Sequence, residues 1–180
     1  MESFKHNVPL AGAGQKTHQQ CWFASYQMLL KPSGQHTSIE TKLRGLMKTD
    51  VLGNDRFKDA MDNGLLDTDY VTAAVALGLK SWSGSAFNKA PGFFDIGLTD
   101  GAEAFLIELK KRPLWVSRWL DPGYHIVVAT GYNDSGKGYI IFNNPFPGPT
   151  DAKEFTNVTA NNFVKFITNA RSSVQGMPMV

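Results

Sequence analysis

Four side chains in this sequence have types and spacing suited to one piece of chemistry: Gln15, Cys21, His125 and Asn144. Cys21 is the only cysteine among 180 residues and stands where a polar segment gives way to an apolar one. Trp22, Tyr26, Leu29 and Leu30 fall on one helical face, so Cys21 lies in the first turn of that helix. There the unpaired backbone N–H groups and the positive end of the helix dipole favour thiolate, the reactive form. Gln15, six residues upstream, is placed to donate its amide to an oxyanion forming beside the sulfur. A lone cysteine is more often a small buried hydrophobe; the groups downstream argue for more.

His125 interrupts the apolar run Gly123–Gly131, which reads as a strand. A histidine so placed is commonly a core residue satisfied by hydrogen bonds. The neighbouring run ends in Asn143-Asn144-Pro145. Proline cannot donate to a ladder, so Asn144 sits at the lip of its strand. From there its amide can accept from one ring nitrogen of His125, fix the tautomer and turn the other nitrogen toward a nucleophile. Asn143 is the rival for this role, and a plain turn residue before proline is the structural alternative. His18 lies in the loop before the helix and reads as a substrate-site residue rather than a base. His6 and His36 lie in polar segments and carry no role.

The elements that must hold these groups follow from pattern and punctuation. Residues 1–14 read as an extended arm running into a glycine loop. The Cys21 helix runs to about Lys31, where Pro32-Ser33-Gly34 stops it. Thr37 or Ser38 caps a second helix with Ile39, Leu43, Leu46 and Met47 inward. A short polar helix spans Arg56 to Asn63 and ends at Gly64. Asp67 or Thr68 caps another, with Tyr70, Ala73, Ala74 and Leu77 on one face and Gly78 closing it. Leu79–Trp82 is a short strand. Residues 83–98, with Phe87, Phe93 and Phe94 among Gly, Ser, Asn and Pro, read as a surface loop, either an ordinary connector pinned by buried aromatics or one wall of a cleft. Asp100 and Glu103 form a capping box for a helix that Lys110, Lys111 and Arg112 close.

After Pro113 the texture turns to strands: Leu114–Leu120, Tyr124–Tyr132 and Gly138–Asn143. Glu154–Val158 adds one more. Thr159 caps a last helix with Phe163 and Phe166 inward, and residues 171–180 look frayed. The layout is a helical first half and an antiparallel sheet in the second half, an α+β protein in one domain over residues 1–180.

Composition excludes several function classes. Hydrophobic residues make up 42% and charged ones 19%, and net charge is +2, which gives no reason to expect nucleic acid or an anionic membrane as partner. One cysteine permits no internal disulfide. No signal-peptide core and no run of 18 apolar residues occurs. No His/Cys/Asp cluster has metal spacing and no glycine-rich phosphate loop follows a strand, so neither metal nor cofactor is expected.

In the order Cys, His, Asn, with the cysteine on a helix and the others on paired strands, the sequence resembles the papain-like cysteine peptidases. The similarity is to their compact bacterial branch, which includes bacteriocin-leader processing peptidases and secreted effector proteases. It is carried by Gln15, by Cys21-Trp22-Phe23-Ala24-Ser25, by His125 to Gly131 and by Asn144-Pro145. The helix leading into Lys111-Arg112-Pro113-Leu114-Trp115-Val116 adds to it. It covers about Val8 to Phe166. The resemblance implies a papain-like fold, Cys21 as nucleophile, His125 as base and then acid, and Asn144 as its orienter. Gln15 and the Cys21 N–H would form the oxyanion hole. Trp22, His18 and Phe146 are the substrate-contact candidates. The chain departs from papain in its shorter Cys-to-His spacing, and from the compact branch in having Asn144 where Asp is common.

The function so implied is a cysteine endopeptidase acting on a protein substrate. Because a free protease would harm its own cell, the resemblance further implies an effector or toxin. It would be delivered by a specialised secretion apparatus, held by an immunity protein and active in the target-cell cytoplasm. Two alternatives use the same residues: an amidase of peptidoglycan or of protein glutamine, and an inactive papain-like binding module.

Overall fold

The computed structural model describes residues 1–10, 16–49, 52–87, 98–120, 123–145, 152–167 and 171–178. In chain order the elements are β1 (Phe4–Lys5), α1 (Cys21–Leu30), α2 (Ile39–Leu46), α3 (Arg56–Asn63), α4 (Tyr70–Ala76) and β2 (Lys80–Ser83). They continue with α5 (Asp100–Lys111), β3 (Leu114–Leu120), β4 (Gly123–Asn133), β5 (Tyr139–Asn144), β6 (Lys153–Thr159), α6 (Ala160–Lys165) and β7 (Ser173–Gly176). The strands form one antiparallel sheet in the order β2-β7-β3-β4-β5-β6, with β1 added beside β4. The protein is α+β with a papain-like arrangement.

Alternation along the central strands builds two cores, one on each face of the sheet. Trp115, Ile126 and Val128 pack into a cluster with residues of α1, α2, α3 and α4. Leu114, Val116, Val127 and Ala129 pack into a second cluster with Phe105, Leu109 and Phe163 from α5 and α6. At the centre of the first, Tyr26 stacks on Trp115 at 5.0 Å, and Trp115 Nε1 donates to the Trp22 carbonyl at 3.2 Å. Helix α1 is thus fixed to the sheet by ring contact and by a buried polar tie.

The extended arm is tethered rather than loose. Phe4 and Lys5 pair with Tyr132 and Gly131. Gly131 has no side chain for a reason: a Cβ there would lie 2.3 Å from the Phe4 carbonyl oxygen. The hairpin between β4 and β5 turns on Asn133, whose Oδ1 accepts from Ser135 N at 2.9 Å.

Several local expectations need correction. The N-cap of α5 is Thr99, whose hydroxyl accepts from Ala102 N, so Asp100 is inside the first turn and no Asp100–Glu103 box forms. Ser38 occupies the N-cap of α2 but turns back to donate to the Gln35 carbonyl. Leu46, the last residue of α2, and Phe166, just past the end of α6, are exposed rather than inward. Phe87 packs on Phe105 at 5.6 Å in the second core, on the sheet face away from α1, so it is no cleft wall; Phe93 and Phe94 lie outside the described residues. The frayed tail is wrong over residues 173–176: these form β7, fully buried between β2 and β3. Nothing apolar beyond Val174 announces that strand. Its polar residues are satisfied by distant partners instead, as in Tyr26 Oη donating to Gln175 Oε1 at 2.7 Å and Gln175 Nε2 donating to the Tyr70 carbonyl at 3.0 Å.

Candidate active site

Cys21 is the first residue of α1, entered through a short 3-10 turn over His18–Gln20. α1 packs along β4, and the Cys21 sulfur meets the backbone N–H of Ile126, the residue after His125. The helix start and the strand carrying the imidazole are therefore brought together across 104 positions of chain. His125 Nε2 donates to Asn144 Oδ1 at 2.7 Å. That bond fixes the Nε2–H tautomer and leaves Nδ1 as the nitrogen with an acceptor lone pair.

Asn143 does something else. It is 1% exposed and its Nδ2 donates to the Val8 carbonyl at 3.2 Å, pinning the N-terminal arm to β5. Alternation along β5 sends the two neighbouring amides to opposite faces. The consequence is measurable. Asn144→Ala is expected to lower turnover by roughly 10²-fold, since ring orientation is lost while the base remains. Asn143→Ala should instead cost stability, about 1 kcal/mol for a lost hydrogen bond, with turnover close to wild type. If Asn143→Ala proved the more damaging to turnover, the third role would move to it.

Electrostatics correct the expectation of a ready thiolate. Cys21 is only 6% exposed, and burial pushes its thiol above the ordinary range; the N–H groups of Ile126, Trp22 and Cys21 itself pull it part of the way back. Burial also pushes His125 below its usual value, Asn144 raises it, and the Arg118 cation lowers it further. Both net shifts favour the neutral forms, thiol and imidazole. Alkylation by iodoacetamide is therefore expected to be slow near pH 6 and to climb as pH rises past the ordinary thiol range, where a raised thiol first loses its proton. Rates equal at about pH 6 and pH 9 would mean a preformed thiolate–imidazolium pair instead.

Beside Cys21 opens a cleft of about 440 Å³. Its walls include His18 and Gln19 on one side, Asn63 to Asp67 and Tyr70 on another, and Ile126 and Arg171. His18 lines this cleft. Trp22 does not. It is fully buried, donates from Nε1 to the Ala60 carbonyl at 3.1 Å and packs edge-on against Phe23, Tyr26 and Phe57. One position along the helix from Cys21 turns the side chain by about 100°, away from the cleft and into the core. Gln15 and Phe146 lie outside the described residues.

Three contributors escaped sequence reasoning. The wall at Gly64-Leu65-Leu66 is recruited from the end of α3, where the only signal was the terminating glycine, held at φ +97°. Arg171 comes from the segment expected to fray. Arg118 stands opposite His125 in the β3–β4 register. It is 5% exposed, with its guanidinium 4.9 Å from the Phe163 ring, 5.4 Å from Phe166 and 5.8 Å from Phe142; burial lowers it to about 10. A single cation inside the apolar run Leu-Trp-Val-Ser-Arg-Trp-Leu was the available clue.

Among the described residues no group of three or more His, Cys, Asp and Glu is placed to hold a metal ion, and no helix is long and apolar enough to cross a membrane. A family model described as papain-like cysteine protease AvrRpt2 matches residues 2–163. No curated protein and no solved structure matches the chain.

Proposed function

The chain belongs to the AvrRpt2 family of papain-like cysteine proteases, and from that premise we propose an endopeptidase whose triad is Cys21, His125 and Asn144. The cysteine peptidase activity comes with the family. The triad, the protein target and an effector's role are our reading. The observation that carries it is the 2.7 Å bond from His125 to Asn144 on the strand whose next residue meets the Cys21 sulfur.

In this reading the Cys21 sulfur attacks a peptide carbonyl as its proton passes to His125 Nδ1. The imidazolium so formed is held in place by Asn144. The oxyanion takes hydrogen bonds from the Cys21 N–H, at the start of α1, and from the Gln15 side chain. His125 then protonates the departing amine, leaving a thioester on Cys21. Water, deprotonated by His125, releases the acyl product and restores the thiol. Starting from a neutral pair makes His125 a general base in the first step. A base below its usual pKa is uncharged and competent at neutral pH. Gln15→Ala should cost roughly 10²-fold in turnover, the usual scale for one oxyanion donor.

The substrate is a protein chain laid along the cleft between His18-Gln19 and Leu65-Leu66, where an apolar wall beside polar backbone suits an extended peptide. We further propose that the protease is an effector, exported by a specialised secretion apparatus, restrained by an immunity protein in the producer and active in the target-cell cytoplasm. Mass spectrometry of a proteome exposed to wild type and to Cys21→Ala tests the reaction. New peptide termini made only by wild type are expected. Glutamine deamidation without new termini would give the protein-amidase reading instead. Expression in a bacterial cytoplasm should be toxic unless Cys21 is replaced; toxicity confined to periplasmic export, with muropeptide release, would indicate a wall amidase.

A further inference from the structure

The N–H of Ile126 faces the Cys21 sulfur, and its carbonyl accepts from the Ser25 hydroxyl at 3.2 Å. Cys21 and Ser25 are one helical turn apart, so both point at the same stretch of β4. A single face of α1 therefore grips both polar groups of one peptide residue, the residue directly after His125. Ser25 is 0% exposed, and this bond spans 101 positions in the chain.

β5 cannot do this job. Val128 lies opposite Asn143, and continuing the register sets Ile126 opposite Pro145, which has no N–H to give. A buried carbonyl left without a donor costs free energy. α1 supplies the missing donor through a side chain, at the place where the ladder runs out. A serine in a helix interior usually bonds back to its own helix; this one reaches across to the sheet.

The geometry points to Ser25 as a positioning residue for the reaction, holding the Ile126 peptide so that its N–H stays on the Cys21 sulfur and the start of the strand that carries His125 keeps its place. This rests on Cys21 and His125 acting as nucleophile and base. Packing alone would hold α1 to the sheet through Tyr26 stacked on Trp115 of β3. It would not fix β4 to a few tenths of an ångström at the helix start, where misplacement is felt most in the rate.

The test compares Ser25→Ala with the matched pair Ser25→Thr and Ser25→Val, which share a shape and differ in the hydroxyl. Each is measured for iodoacetamide alkylation against pH, for thermal melting, and for kcat and KM on a peptide spanning a cleavage site mapped in the proteome digest. With Ser25→Ala, kcat is expected to fall on the order of 10- to 100-fold with KM within twofold. The alkylation profile should move to higher pH, because the thiolate loses a donor as Ile126 recedes. Threonine should restore both and valine should not. A kcat within twofold of wild type overturns the proposal. So does a fall in kcat that leaves the alkylation profile in place, or equal behaviour of the threonine and valine variants. Should wild type make no cleavages at all, the triad reading fails. The alkylation profiles, which need no substrate, then still decide whether Ser25 sets the environment of the sulfur.

Discussion

Replacing Cys21 by alanine should abolish peptide-bond cleavage, and His125→Ala should come within about tenfold of the same loss. In a site where nucleophile and base act as one unit, removing either removes nearly the whole chemical advantage, on the order of 10⁶-fold in turnover. The double variant should then be no worse than either single one. Here the expectation is sharper than usual, because the thiol is buried and raised above its ordinary range. Without His125 the proposed base is gone, so a residual rate from spontaneous thiolate should be small at neutral pH and should grow with pH. Progress curves for the three variants between about pH 6 and pH 9 check this. A His125→Ala enzyme retaining a tenth of wild-type turnover at neutral pH would remove His125 from the mechanism. Both variants should fold: Cys21→Ala deletes one sulfur, and His125 is only partly buried.

Deleting residues 171–180 should unfold the protein. β7 lies between β2 and β3, so its loss strips partners from both and detaches β2 from the sheet. Val174 is fully buried, worth about 2 kcal/mol. Gln175 is fully buried too, and takes with it the partners of Tyr26 Oη and the Tyr70 carbonyl, each leaving a group whose burial unpaired costs about 1–3 kcal/mol. Arg112, clamped to the Met177 carbonyl at 2.6 Å and to Glu108, would lose its tie as well. Together these rival a total stability of roughly 5–15 kcal/mol. Loss of near-ultraviolet circular dichroism and of a cooperative urea transition is the expected result. A truncated chain melting within a few degrees of the full one would show that β7 is dispensable.

The sequence was legible where local pattern and tertiary demand agree. α1 carries its apolar face and its cysteine in the open, and Leu114 onward alternates as a strand should. The bond between His125 and Asn144 was readable because Pro145 announces the end of β5. Legibility failed where the deciding partner is distant. Thr99 and Asp100 can both cap a helix, and only the backbone path selects Thr99. Ser173 to Gly176 is too polar and short to look like a buried strand; what buries it is Tyr26, Tyr70 and Ser81, contributed by three other elements. The first turn of α1 was visible, but not that β4 would cover it, and that cover reverses the balance at Cys21.

The place of β7 also sets an order of events during synthesis. β2 and β3 are complete by Leu120, yet the strand that joins them is Ser173–Gly176. Until residue 176 clears the ribosomal tunnel the two halves of the sheet have no common neighbour, and α1 lacks the glutamine that receives Tyr26. Closure of the sheet must wait for these late, long-range pairings, which are slow to form. A chain whose Ser173–Gly176 is still inside the tunnel is thus an unfinished protease, and its cleft takes shape only once this strand has emerged.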